Sequence, residues 1–306
     1  MNDLKILFQK YNYRIKKISV IGNVTIIDSE DGKYVIKKMN NKDIKEIFRY
    51  LKSKSFNNYV DCINDIDDNY LIFPYLDNNI RDDSSKAKDL INLMAILHSK
   101  TYFYKSFRID EIKKTYEEKI EELNNLEKYY EKLKTKAELE TFISPSNYYL
   151  LRNISWIFHS INSSKFFLDK WYNIVKDKKN IRICMTHGNL ELDHLIDSDN
   201  KLLISWDNAK NDSLVSDIII FYKKYYNKLP FYELLNLYNS YFNINSDELY
   251  FLFCLMLFPE KIVFDNNEVL NMKKVFNLID YLQTSSDIIS KYHPSNTDRK
   301  HDKQKE

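Results

Sequence analysis

The stretch 184–209, CMTHGNLELDHLIDSDNKLLISWDNA, gathers side chains that could do chemistry. It holds two imidazoles, His187 and His194, the carboxylates of Asp193 and Asp207, the Ser205 hydroxyl and the Cys184 thiol. Two imidazoles and a carboxylate could hold a metal. However, His187 and His194 lack the i, i+4 helical spacing of zinc-binding pairs, and no third firm ligand stands beside Asp193. Cys184 has no base near it in sequence to make it a nucleophile, and it reads as a buried strand thiol. His187 sits against an apolar run, where a histidine usually braces a loop by hydrogen bonding. One further cation belongs with this group: Lys37, which closes the β-branched run Val35-Ile36-Lys37. It could contact a phosphate or stand as a surface lysine. The basic run KKMNNKDIK reads as a solvated face.

These residues need a scaffold. Two short apolar strands, 182–185 and 202–206, flank the loop that carries them, and rigid strands are where proteins present functional loops. Upstream, β-branched runs at 15–22, 23–28 and 33–39, broken by a turn ending in Gly32, predict an antiparallel sheet. Residues 41–53 carry Ile44, Ile47, Phe48 and Leu51 at helical spacing, with Asn40 or Asn41 as cap. Further strands are expected at 59–63 and 69–74, separated by an acidic turn. From Ser84 the periodicity is helical. It covers 87–100, then a long charged stretch 109–139 that is one helix or a hairpin broken at Asn124-Asn125. Pro145 interrupts the pattern, which resumes over 147–175 and again over 214–292. The tail 294–306 has no apolar period and is expected to be disordered.

Composition excludes several classes. The chain has 306 residues, 46 basic and 44 acidic, for a formal charge of +2, which gives no electrostatic case for nucleic acid. Average usage of about 7% glycine predicts roughly 21 glycines in such a chain. There are 3, Gly22, Gly32 and Gly188, far apart, so neither a Rossmann fingerprint nor a P-loop can be built. Cys62, Cys184 and Cys254 have no metal spacing and read as reduced thiols of an intracellular protein. No signal-peptide stretch opens the sequence, and its longest apolar run, 249–258, is about half of a ~20-residue membrane span. No membrane span is expected.

The ordered pieces resemble the aminoglycoside phosphotransferase and choline kinase superfamily, relatives of protein kinases. The family pattern H-G-D-x-x-x-x-N followed by I-D-W is matched here by H-G-N-x-x-x-x-H and then I-S-W-D. By resemblance, Lys37 is the strand lysine that pairs nucleotide phosphates, with Glu46 its preferred ion-pair partner and Asp43 the other choice. LMAILHSKT at 93–101 resembles the helix preceding the catalytic half. Asp217 matches the buried aspartate that supports the catalytic loop, and His187 braces that loop. The long helical insertion, the paired Asn189 and His194 replacements, and the segment 216–235 look like the spore coat kinase-like proteins of endospore-forming bacteria (CotS and YutH relatives).

In this family a carboxylate orients and deprotonates the acceptor hydroxyl, and oxygen ligands hold Mg²⁺. Here the base position is Asn189, an amide that takes no proton. The metal positions are His194, poor for a hard cation, and Ser205, a neutral hydroxyl. A shifted metal site at Asp207, with Asp193, is the alternative: two residues beyond Ser205 in a strand, Asp207 points to the same face. The resemblance thus implies an α+β, bilobal protein-kinase-like fold. It has a small antiparallel-sheet lobe (1–77) and a helical lobe with a long helical insertion (78–293). The expected function is that of a catalytically degenerate kinase-like protein, a pseudokinase, with a structural or assembly role in the spore coat. It is expected to have other coat proteins as partners, to be made in the cytoplasm and to be assembled on the spore surface, with no cofactor. The alternatives are an active phosphotransferase using Mg-ATP on a hydroxyl acceptor, and a regulatory pseudokinase that binds nucleotide.

Overall fold

The structure, a computed structural model, describes residues 14–22, 24–38, 44–67 and 70–292, with the backbone alone for 64–67. Asn23, the caps Asn40 and Asn41, Asp43, Asn69 and the tail 294–306 lie outside the described residues. Three strands come first, β1 (Ile15–Ile21), β2 (Val24–Ser29) and β3 (Gly32–Lys38). Then follow α1 (Ile44–Ser53), β4 (Asn64–Asp67), β5 (Tyr70–Pro74) and α2 (Asp83–Thr101). Next are β6 (Phe103–Ser106), α3 (Ile109–Glu138), α4 (Pro145–Val175) and β7 (Asn180–Thr186). A 3-10 turn (Leu192–His194), the hairpin β8 (Leu195–Asp197) and β9 (Lys201–Leu203), a second 3-10 turn (Trp206–Asn208) and β10 (Lys210–Asp212) lead to four helices. These are α5 (Leu214–Tyr225), α6 (Phe231–Tyr241), α7 (Ser246–Met256) and α8 (Glu268–Ser290). The architecture is α+β: a small antiparallel sheet, then a mostly helical remainder.

The chain forms two compact units, one of Met1–Thr101 with His187–Lys210, the other of Tyr102–Thr186 with Asn211–Glu306. In the first, five strands run in the order β1-β2-β3-β5-β4. Ile36 faces Ile72 across β3 and β5, and with Ile27 they make the core of the sheet, flanked by Ile18, Tyr34 and Tyr70. Helix α1 buries Ile44, Ile47, Phe48 and Leu51, the stripe its spacing predicted.

Two strand assignments change. Residues 59–63 form no strand and touch the β9 strand through a single bridge, Tyr59 to Leu203. The pairing partner of β5 is 64–67, within the expected acidic turn. This strand is an edge, bonded on one side, where polar sequence is tolerated and guards against further pairing. Second, the run 202–206 leaves the sheet after Leu203. Ser205 takes a left-handed conformation (φ 67) and Trp206–Asn208 form a 3-10 turn. Asp207 therefore does not share the face of Ser205 by strand alternation, because 205 and 207 lie on no common pleat.

In the second unit, 109–138 is one continuous helix through Asn124-Asn125, so the hairpin alternative falls away. Pro145 starts a helix instead of breaking one. It occupies the first helical turn, where its missing N–H costs nothing, and Ser144 caps the end by accepting from the Asn147 N–H. β6 pairs antiparallel with β7, Phe103 opposite Ile183. No helix among the described residues is long and apolar enough to cross a membrane.

Candidate functional site

The first unit contains a cavity of about 260 Å³. Its walls come from β2 and β3 (Val24, Ile26, Val35), from β5 (Phe73) and from the hairpin and its exit (Ile196, Ile204). Alternation in the strands places Val24, Ile26 and Val35 on one face of the sheet, opposite Ile27 and Ile36 of the core. Lys37, Tyr75 and Ser205 bring polar groups to the wall. Trp206 also reaches it, but its indole N–H is spent on the Leu203 carbonyl at 3.1 Å.

Lys37 sits opposite Val24 on one side and Leu71 on the other. Its ammonium donates to the Asp207 carboxylate, and the two side chains are 22% and 28% exposed. Glu46, the expected partner, is on the exposed side of α1 and makes no ion pair with Lys37. The reason is geometric. The turn at Ser205 swings Asp207 toward the sheet, while the buried stripe of α1 leaves position 46 facing solvent.

The loop is braced by its histidines. His187, fully buried, donates from Nε2 to the Ile204 carbonyl at 2.8 Å. The backbone of His194 accepts from the Ile204 N–H at 3.0 Å, and its Nδ1–H donates to the Asn189 carbonyl at 2.7 Å. Both backbone groups of Ile204 are thereby pinned, immediately before Ser205. His187 also packs its ring on Trp206, with centroids 4.8 Å apart, and Trp206 in turn meets Phe56 and Tyr59. Gly188 has φ +73, and a Cβ there would collide with the Asn208 carbonyl, so the two arms of the loop touch backbone to backbone.

A charge network holds the hairpin to the start of α2. Arg81 bridges Asp89 and Asp197, and Lys201 reaches Asp89 from β9. Burial pushes the Asp89 carboxyl up, but the hydrogen bonds from Lys201 and Arg81 outweigh it and hold the group below its ordinary value.

The structure thus brings together Lys37, His187, Asn189, His194, Ser205 and Asp207 in one unit. Asp217 is fully buried on α5, in the other unit. The metal reading of His187, His194 and Asp193 does not assemble: Asp193 is exposed, each ring has a nitrogen bound to a carbonyl, and no three metal-binding side chains converge among the described residues. A magnesium nucleotide fits this donor set poorly. The site offers an amide, an imidazole, a hydroxyl and one carboxylate already held by a lysine, where Mg²⁺ wants carboxylate and phosphate oxygens. The apolar cavity walls, which sequence reasoning missed, suit an apolar group. Their signal was available in the alternation of Val24 and Ile26, but nothing local said which face would stay open.

No family model and no curated protein matches the sequence. Solved structures do match in fold. An aminoglycoside phosphotransferase from Alicyclobacillus acidocaldarius superposes with a TM-score of 0.68 at 10% identity, covering 94% of this chain and 95% of that one. An AMP-bound spectinomycin phosphotransferase gives 0.53 at 13% identity over 92% of this chain and 97% of that one. The same enzyme with ADP and spectinomycin gives 0.50 at 12%, covering 93% of this chain and 98% of that one. The chain has a kinase-like fold of the aminoglycoside phosphotransferase type.

Proposed function

We propose that this chain is a kinase-fold protein that has given up phosphoryl transfer and serves a structural or assembly role. The observation that carries the reading is the state of the reaction centre. The positions that resemble the base and metal ligands hold Asn189, His194 and Ser205, and Asp207 is engaged by Lys37. None of the first three can take a proton from a hydroxyl at neutral pH and also hold Mg²⁺ well. The resemblance to spore coat kinase-like proteins supports a coat role, with other coat proteins as partners and the spore surface as destination. It also supports lobes at 1–77 and 78–293, with His187 and Asp217 steadying the loop. The cavity favours one companion reading, a pseudokinase that binds a nucleotide without turning it over.

The test is a sensitive turnover assay of the purified chain with Mg-ATP and mixed hydroxyl acceptors. The expected result is no phosphate transfer above a Lys37→Ala control. Turnover that disappears in Asp207→Asn would overturn the proposal in favour of an active phosphotransferase with a displaced metal site.

A further inference from the structure

The size, the walls and the charged end of the cavity bear on what it accepts. Its volume, about 260 Å³, lies just below the range of about 300–1,000 Å³ common for small-molecule pockets, so it holds a fused ring and little more. Its walls are aliphatic and aromatic, and Leu76, one of the lining residues, has a backbone N–H with no protein acceptor among the described residues. Among the described residues that line the cavity there is one cation, Lys37, and it already has a carboxylate on it. The pair is neutral in sum. A triphosphate carries several negative charges, and here it would meet Asp207 with no carboxylate-bound metal to offset the repulsion. The turn that would cover phosphates offers Gly22 in place of a glycine-rich loop.

We propose that this cleft takes a nucleoside or nucleoside monophosphate without a divalent cation, and prefers either to the triphosphate. The inference rests on the reading above, that the magnesium ligands are lost, and inverts the usual order of a kinase site. A single phosphate exchanges with Asp207 at Lys37, one anion for another. Two further phosphates add charge with no second cation to receive it among the described residues that line the cavity. The ring is held by the Val24, Val35 and Ile204 walls, which require no metal.

The test is calorimetric titration of the full chain with adenosine, AMP, ADP and ATP, each in excess MgCl₂ and again in EDTA. Adenosine and AMP should bind with the same affinity in both buffers, and ATP should bind about tenfold more weakly than AMP. Asp207→Asn removes the competing carboxylate and should tighten AMP about tenfold while leaving adenosine unchanged. Lys37→Met removes the cation and keeps the Asp207 carboxylate, so this variant should bind AMP more weakly than adenosine. Val35→Phe fills the cavity and should abolish all binding, with its circular dichroism and melting checked against the parent. The inference is overturned if ATP binds more tightly than AMP, if EDTA abolishes binding, or if no adenosine compound binds. Those failures are separable from failure of the parent reading, which is scored by turnover alone: Mg-ATP hydrolysis or transfer sinks that reading, whereas cation-dependent binding without turnover sinks only this inference.

Discussion

Breaking the Lys37–Asp207 pair should separate its energetic worth from its role in binding. With side chains 22% and 28% exposed, the pair is more enclosed than surface ion pairs, which are worth roughly 0–1 kcal/mol. It is less enclosed than fully buried pairs, where losing one partner costs about 3–5 kcal/mol. The coupling is expected at about 1–2 kcal/mol. Lys37→Met should be the costlier single change, about 2 kcal/mol, because it takes the cation away from a partly enclosed carboxylate. Asp207→Asn should cost about 1 kcal/mol, since the lysine stem lets its ammonium lean toward water. The double variant should be destabilised by less than the sum of the singles, by the coupling energy. Because the chain has two compact units, one overall melting point mixes them. Trp206, 2% exposed in the first unit, reports on that unit alone when Trp156 and Trp171 are replaced by Phe. Urea titrations of the four proteins in this background, followed by fluorescence, give the cycle. In 1 M salt most of the coupling should persist, as partly buried pairs are weakly screened. Additive singles, with coupling under about 0.3 kcal/mol, would refute the view that this pair organises the charged end of the cleft.

Other outcomes follow from the same structure. Gly188→Ala meets both a left-handed φ and the Asn208 carbonyl, so it should cost about 3 kcal/mol or more and lower the melting point by several degrees, whereas Gly22→Ala, with open space around it, should cost only the backbone term of about 1–2 kcal/mol. Asp89 is held below its ordinary value, so its stabilising contribution is present above the usual carboxylate range and lost as pH falls through its folded-state value. Melting curves of the parent and Asp89→Asn should therefore differ at pH 7 and draw together as pH falls below the ordinary carboxylate range; equal curves at pH 7 would contradict the network. Among the cysteines, Cys184 and Cys254 are buried and burial pushes the Cys254 thiol up to about 12, while Cys62 is partly accessible. A maleimide at pH 7 should label Cys62 alone in the native protein, read by mass spectrometry, and labelling of Cys254 before unfolding would show that its helix opens.

The elements legible in the sequence were those whose apolar period is self-sufficient. Helix α1 and the long α3 declare their buried faces at steps of three and four, and the hairpin turn at Gly32 sits where β2 and β3 meet. The strands that were misread lacked that signal. β4 is polar and exists because β5 offers it an open edge, and the 202–206 run looks like a strand to its end because Trp206 is apolar. Trp206 is apolar for another reason: it seats a turn among Phe56, Tyr59 and His187.

At the site, the sequence alone determined which chemical groups are present. An amide, an imidazole and a hydroxyl stand at 189, 194 and 205 whatever the fold does. Tertiary structure decided what those groups meet. Lys37 takes its carboxylate from a residue 170 positions away, and not from the helix next to it in sequence. That choice depends on the left-handed step at Ser205, which depends in turn on Ile204 being held by His187 and His194. No local pattern encodes such a chain of contacts, because each link joins segments brought together only by packing of the sheet, the hairpin and the Trp206 turn.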